Sequence, residues 1–214
     1  MKKTGTFITF EGMEGSGKST QVALLTERLR AAGHGVVLTR EPGGTAAGEA
    51  IRSIVKGEGV EVDLCPETEM LLFAASRAQL VREVILPALK CGHVVVSDRF
   101  ADSTTVYQGI ARGLNPDDVS ALNRLVMSTA VPDLTLLLDI DVALGLSRLK
   151  SREVKRRGRC DRIERENVRF HRKVRQGYRG LAKQWPGRIR IVDGSLGQDS
   201  VAESIWEIVS DVLN

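Results

Sequence analysis

The sequence predicts an α/β fold: a mostly parallel five-stranded sheet with helices on both faces. Continuous apolar runs such as Val94-Val95-Val96 and Leu136-Leu137-Leu138 are the pattern of strands buried on both sides. Helical patterns alternate with these runs, the order from which parallel sheets with crossover helices are built. The chain has 214 residues, 42% of them hydrophobic, enough for one α/β domain with a sizeable core.

Residues 6–10 read as the first strand. Residues 21–32 read as a helix with Val22, Leu25 and Leu29 on one face, stopped at Gly33. Residues 36–39 read as the second strand. Pro66 suits the first turn of a helix, and Glu67 and Glu69 suit its positive end. A further helix stops near Gly92. Strands follow at 93–97, 134–138 and 189–192, and residues 201–213 read as a closing amphipathic helix. There is no internal repeat, low-complexity tract or interdomain linker. The polar, basic stretch 151–160 is the one irregular segment, so the expectation is a single domain over 1–214 with a mobile lid at about 151–160.

The formal net charge is only +4, yet about half of the 31 lysines and arginines lie between Arg148 and Lys183, opposed by Glu153, Asp161, Glu164 and Glu166. Such asymmetry suits either a polyanionic partner or a solvated helix face. Three cysteines, Cys65, Cys91 and Cys160, show neither zinc spacing nor a disulfide framework, which points to a reducing cytoplasm. His34, His93 and His171 are scattered and read as surface or packing residues. No long apolar stretch follows the N-terminus before Glu11, so neither signal peptide nor membrane span is expected.

Gly12-Met13-Glu14-Gly15-Ser16-Gly17-Lys18-Ser19 carries the chemistry. It fits the phosphate-loop pattern in full, after a strand and before a helix, which makes the predicted architecture a P-loop NTPase fold. Its glycines bring backbone N–H groups close to phosphates, and the helix start adds a positive dipole end. Gly12, Gly15, Ser16, Gly17, Lys18, Ser19 and Thr20 form the expected nucleotide-binding set. Lys18 supplies a point charge to the β and γ phosphates, and the Ser19 hydroxyl suits magnesium. The absence of Asn-Lys-x-Asp argues against a G protein.

Three further segments address the acceptor. Thr39-Arg40-Glu41-Pro42-Gly43-Gly44-Thr45 is a fixed turn in which Arg40 can meet a phosphate. Phe73 and Arg77, four apart on a helix, share a face that suits stacking on a base and bonding its carbonyl. Asp98-Arg99-Phe100 follows the apolar run 94–97 and places a carboxylate where open α/β sheets bind ligands. Asp139, at the end of another strand, is a rival for the metal-side role, and the pattern alone leaves the two open.

Together these segments, with Tyr107-Gln108-Gly109 and Asp161-Arg162-Ile163-Glu164, resemble the thymidylate kinase family in order and approximate spacing, from residue 6 to beyond 164. The resemblance implies ATP- and magnesium-dependent conversion of dTMP to dTDP in a cytoplasmic homodimer, with no nucleic-acid or membrane partner. It places Glu14 at the deoxyribose 3′-hydroxyl, Arg40 and Arg99 near the dTMP phosphate, and Asp98 near magnesium and the transferring group. It places Pro42 near the thymine methyl, Phe73 on the base, Arg77 at its O4 and Thr104 near N3. Tyr107 would pack beneath the sugar where a 2′-hydroxyl would intrude, with Gln108 in the same pocket.

Some family members carry a basic residue inside the loop, where this chain has Gly15. The resemblance therefore moves the catalytic arginine to the lid, among Arg152, Arg156, Arg157, Arg159 and Arg162, with Arg157 favoured by its match to the family's Arg-Gly before Asp-Arg-Ile-Glu. Asp141-Val142 replaces a proline that many relatives have before the next helix. The alternatives are a kinase for another nucleoside monophosphate and a nucleotide-dependent RNA-binding module using the basic run, whose only interleaved aromatics are Phe170 and Tyr178.

Overall fold

Alternate residues of a strand point to opposite faces, and in the three central strands of this chain both sets are buried. The computed structural model describes residues 5–58, 63–155 and 162–213. Its strands β1 (Phe7–Glu11), β2 (Val36–Arg40), β3 (Val94–Asp98), β4 (Leu134–Asp139) and β5 (Ile189–Asp193) form one sheet in the order β2-β3-β1-β4-β5. Every pairing is parallel.

The crossovers supply helices α1 (Lys18–Ala31), α2 (Ala46–Lys56), α3 (Pro66–Leu80), α4 (Leu86–Lys90), α5 (Ala101–Thr104), α6 (Pro116–Met127), α7 (Val142–Lys155) and α8 (Val168–Gln184), and α9 (Gln198–Leu213) follows the last strand. A π-helical turn, Val81–Ile85, joins α3 to α4, and a second, Thr105–Ala111, continues α5 and carries Tyr107 and Gln108. Wide turns of this kind are frequent at functional sites.

On one face Ile8, Phe10, Val94, Val96, Leu134 and Leu136 pack against Val22, Leu25 and Leu29 of α1 and Val201, Ile205 and Val209 of α9. On the other, Phe7 and Val95 meet Leu80, Ile85 and Phe100, while Leu137 meets Val106, Tyr107, Val174 and Tyr178. Helix α8 turns Phe170, His171, Val174, Tyr178 and Leu181 inward, and Arg169, Arg172, Lys173 and Arg179 outward. Much of the basic run is therefore the solvated face of one helix.

Two boundaries differ from expectation. Helix α1 begins at Lys18, not residue 21, because Gly17 takes a left-handed conformation (φ 93°) that starts the helix before its apolar periodicity does. Residues 151–155, expected as irregular lid, are the last part of α7. Helix α7 starts without the proline of many relatives, because the Asp141 carboxylate accepts the Ala143 N–H at 2.8 Å.

Candidate active site

Parallel register lines up the strand ends that matter. Asp98 is level with Phe10 of β1 on one side and Arg40 of β2 on the other. A cleft of about 400 Å³ opens beyond these carboxyl ends, where open α/β sheets bind ligands. It is lined by Glu14, Gly15, Ser16, Gly17, Lys18, Ser19 and Thr20 from the phosphate loop and α1. From the other elements come Arg40, Pro42, Phe73, Asp98, Arg99, Thr104, Tyr107 and Gln108. Gly12 (φ 139°) turns the chain out of β1 into the loop.

Lys18 folds over the loop. Its Nζ donates to the Gly12 and Met13 carbonyls, both at 2.9 Å, and to Ser16 Oγ at 3.3 Å. Burial, helped by the Arg99 charge and opposed by Asp98, Glu14 and Glu11, lowers its pKa to about 8. Gly15 (φ 75°) lies against α7: a Cβ there would stand 2.4 Å from the Gly145 carbonyl oxygen. The position expected to lack a cation thus has no room for one.

Ser19 Oγ donates to Asp98 Oδ2 at 2.8 Å, at the edge of the cleft. Asp139 is instead ion-paired with Arg175, at 2.8 Å from Nε. Among the described residues no three His, Cys, Asp or Glu side chains group as a metal site. One carboxylate beside one hydroxyl, both hard oxygen donors, still fits magnesium, which usually keeps waters and takes further ligands from phosphates.

Arg99 holds a left-handed backbone (φ 75°), which costs a non-glycine residue about 1–3 kcal/mol and is typical of functional sites. Its N–H donates to Phe10 O at 2.9 Å, and Ser97 Oγ donates to its carbonyl at 2.7 Å. Its guanidinium lies over the Tyr107 ring and donates to Glu14 Oε1 at 2.6 Å; the Tyr107 hydroxyl donates to the same oxygen at 2.7 Å. Burial pushes the Glu14 carboxyl up, but Arg99, His171 and Lys18 outweigh it and hold its pKa well below the usual range.

The base end departs from expectation. Phe73 is half-buried and lines the cleft, but Arg77 is fully buried and does not. Its Nε and Nη2 pair with the buried Glu41 carboxylate, Nη1 donates to Asn123 Oδ1 at 2.6 Å, and Nη2 donates to Thr104 Oγ1 at 2.6 Å. Helical spacing placed Phe73 and Arg77 on one face, but Glu41 draws the guanidinium inward behind Thr104. Arg40 is half-exposed, with Nη2 held between both Glu49 oxygens at 2.9 Å. Arg156, Arg157 and Arg159 lie outside the described residues.

Residues 10–205 match the family model described as thymidylate kinase. The chain belongs to the thymidylate kinase family. It is similar to the thymidylate kinase of Deinococcus radiodurans, 48% identical over 207 residues and covering 97% of each chain. It is 49% identical over 214 residues to that of Ruegeria pomeroyi, covering 100% of this chain and 99% of the relative. The crystal structure of thymidylate kinase from Ehrlichia chaffeensis aligns with a TM-score of 0.75 at 33% identity, over 96% of this chain and 98% of that one. The fold is thus the P-loop NTPase fold expected.

Several residues of this thymidylate kinase family member do work that sequence reasoning missed. Glu11, fully buried, accepts from the N–H groups of Phe100 (2.9 Å) and Ser103 (3.2 Å), from Ser103 Oγ (2.7 Å) and from the Tyr178 hydroxyl (2.6 Å). It pins the turn that follows β3. Burial, with the Asp102 charge, raises it to about 7 against the pull of Arg99, Tyr178 and Ser103. A signal existed: Glu11 ends an apolar strand run as Asp98 and Asp139 do. His171, read as a surface or packing residue, is fully buried with Nδ1 3.6 Å from Glu14 Oε2. A lone histidine on an apolar helix face carried no such signal.

Proposed function

We propose that the chain transfers the terminal phosphoryl group of ATP to dTMP, forming dTDP and ADP. The observation that carries this reading is one continuous cleft joining the phosphate loop to Glu14, Phe73, Thr104 and Tyr107. A phosphate oxygen of the acceptor forms the new bond to the γ-phosphorus as the bond to the ADP oxygen breaks. Positioning and charge neutralisation do the catalytic work. Lys18 turns from the loop carbonyls to the ATP phosphates, and the rigid Arg99 meets the acceptor phosphate. Ser19 and Asp98 would hold magnesium, which supplies positive charge to the phosphate oxygens. Glu14, kept ionised by Arg99 and Tyr107, accepts from the sugar 3′-hydroxyl. Pro42, Phe73 and Thr104 surround the base.

A homodimer belongs to this reading; it is supported by exposed Ile54, Leu71 and Leu125 on α2, α3 and α6. A cytoplasmic site of action is supported by two exposed free thiols, Cys65 and Cys91. Among the described residues no helix is long and apolar enough to cross a membrane.

The test is an ADP-release assay with magnesium over dTMP, dUMP, UMP, CMP, AMP and GMP. The expected result is dTMP first by kcat/KM. Higher kcat/KM for any other acceptor overturns the assignment in favour of that acceptor.

A further inference from the structure

Beneath the acceptor end of the cleft lies a buried carboxylate that the phosphoryl-transfer machinery does not use. Glu69, on the first turn of α3, has a side chain 1% exposed. Its Oε1 accepts from Gln108 Nε2 at 2.6 Å and from Arg112 Nε at 3.3 Å. Its Oε2 accepts from Arg112 Nη2 at 3.3 Å and, in a closer contact, from Arg162 Nη2. Arg112 is held in turn by Glu166, at 2.5 Å from Nη1.

We infer that Glu69 is a positioning residue that ties Arg162, at the edge of the cleft, to the acceptor pocket. Two consequences of its chemistry carry this. An ionised carboxylate only accepts hydrogen bonds, so it forces the Gln108 amide to turn its NH₂ end toward Glu69. The amide oxygen is then the end turned away, on a side chain that lines the cleft. Gln108 therefore presents an acceptor to a bound nucleotide rather than a donor.

The second consequence concerns Arg162. Its neighbours Ile163 and Glu164 line the cleft. Its guanidinium is fixed at Glu69 and, through Nε, at the Val55 carbonyl of α2 (3.4 Å). Arg162 is thus an anchor between α2, α3 and the edge of the cleft, not one of the arginines that reaches the transferring phosphoryl group. Burial pushes the Glu69 carboxyl up, but the Gln108 bond and the charges of Arg112 and Arg162 outweigh it and lower its pKa. The anchor therefore stays charged through the neutral range.

The test is Glu69→Gln in the full-length enzyme, which keeps the shape and removes the charge. Its KM for dTMP is expected to rise about tenfold, with the KM for ATP and kcat changed less than about threefold. In a Gln108→Met background the same substitution should raise the dTMP KM by clearly less, since the two residues share one interaction. Strict additivity, a parallel rise in both KM values, or an unchanged dTMP KM in a folded variant overturns the inference. If Glu69→Gln does not fold, Arg162→Met replaces it, with the same KM split expected and a kcat loss beyond about tenfold contradicting the anchor role.

Discussion

Ser19 Oγ and Asp98 Oδ2 meet at 2.8 Å although 79 residues separate them in the chain. The bond joins the helix that starts at the phosphate loop to the end of the neighbouring strand, and sets two hard oxygen donors side by side. Asp98→Asn keeps the shape and removes the charge. We expect turnover to fall by about 10²-fold or more, with the magnesium midpoint shifted upward. Unchanged turnover across a magnesium titration would remove Asp98 from the metal site.

Lys18 is expected to set the high-pH limb of activity. Burial lowers its pKa to about 8, so the charged form is lost as pH rises through that value. For ATP, kcat/KM reports the free enzyme and should fall above about pH 8. Bound phosphates favour the ammonium form, so kcat should hold to higher pH. Lys18→Ala should abolish transfer with an unchanged circular dichroism spectrum. A folded Lys18→Ala enzyme with near wild-type turnover would refute the phosphate-loop assignment.

Arg77 and Glu41 form a buried pair whose members depend on each other. Arg77→Ala leaves the Glu41 carboxylate buried without its partner, a loss of about 3–5 kcal/mol in urea unfolding. Arg77→Met with Glu41→Gln should recover a large part of it. Through its bond to Thr104, Arg77 also sets the base end of the cleft, so Arg77→Ala should narrow the preference for dTMP over dCMP. An unchanged ratio in a folded variant would show that base recognition does not pass through Arg77.

Tyr107 packs its ring against Phe170 and Tyr178 and gives its hydroxyl to Glu14. A ring held this firmly has little freedom to yield to an extra hydroxyl on the sugar. Tyr107→Ala should improve UMP relative to dUMP, a pair that differs only at the 2′ position. If the UMP-to-dUMP ratio of kcat/KM stays as in the wild type, sugar discrimination lies elsewhere.

Gly15 and Gly145 let α7 approach the phosphate loop, and a side chain at either position meets the opposing backbone. Gly15→Arg should therefore give a destabilised enzyme and no gain in rate, measured by thermal unfolding and turnover. The expectation is then that an arginine of the 151–160 stretch serves the transferring group. Arg157→Ala is expected to lower kcat strongly and the KM for ATP much less, as for a contact made in the transition state. If alanine at Arg152, Arg156, Arg157 and Arg159 in turn never lowers kcat by more than about tenfold, roughly 1.4 kcal/mol, the lid does not provide it.

The sheet, the phosphate loop and the order of the acceptor segments are legible in the amino-acid sequence alone. These depend on local signals: continuous apolar runs for doubly buried strands, helical periodicity, and glycines at fixed spacing in a phosphate-binding turn. Residues such as Lys18, Asp98 and Arg99 were legible because each lies at the end of a local pattern. How charges pair across distant segments emerges only in the folded chain. Helical spacing put Arg77 beside Phe73, but Glu41, 36 residues away, draws the guanidinium into the interior. Arg162 belongs in sequence to the basic stretch around 151–162, but Glu69, 93 residues away, holds its guanidinium. The physical reason is that a buried charge must find an opposite charge or hydrogen-bond donors nearby in space, and neither periodicity nor spacing records which partner the fold brings there.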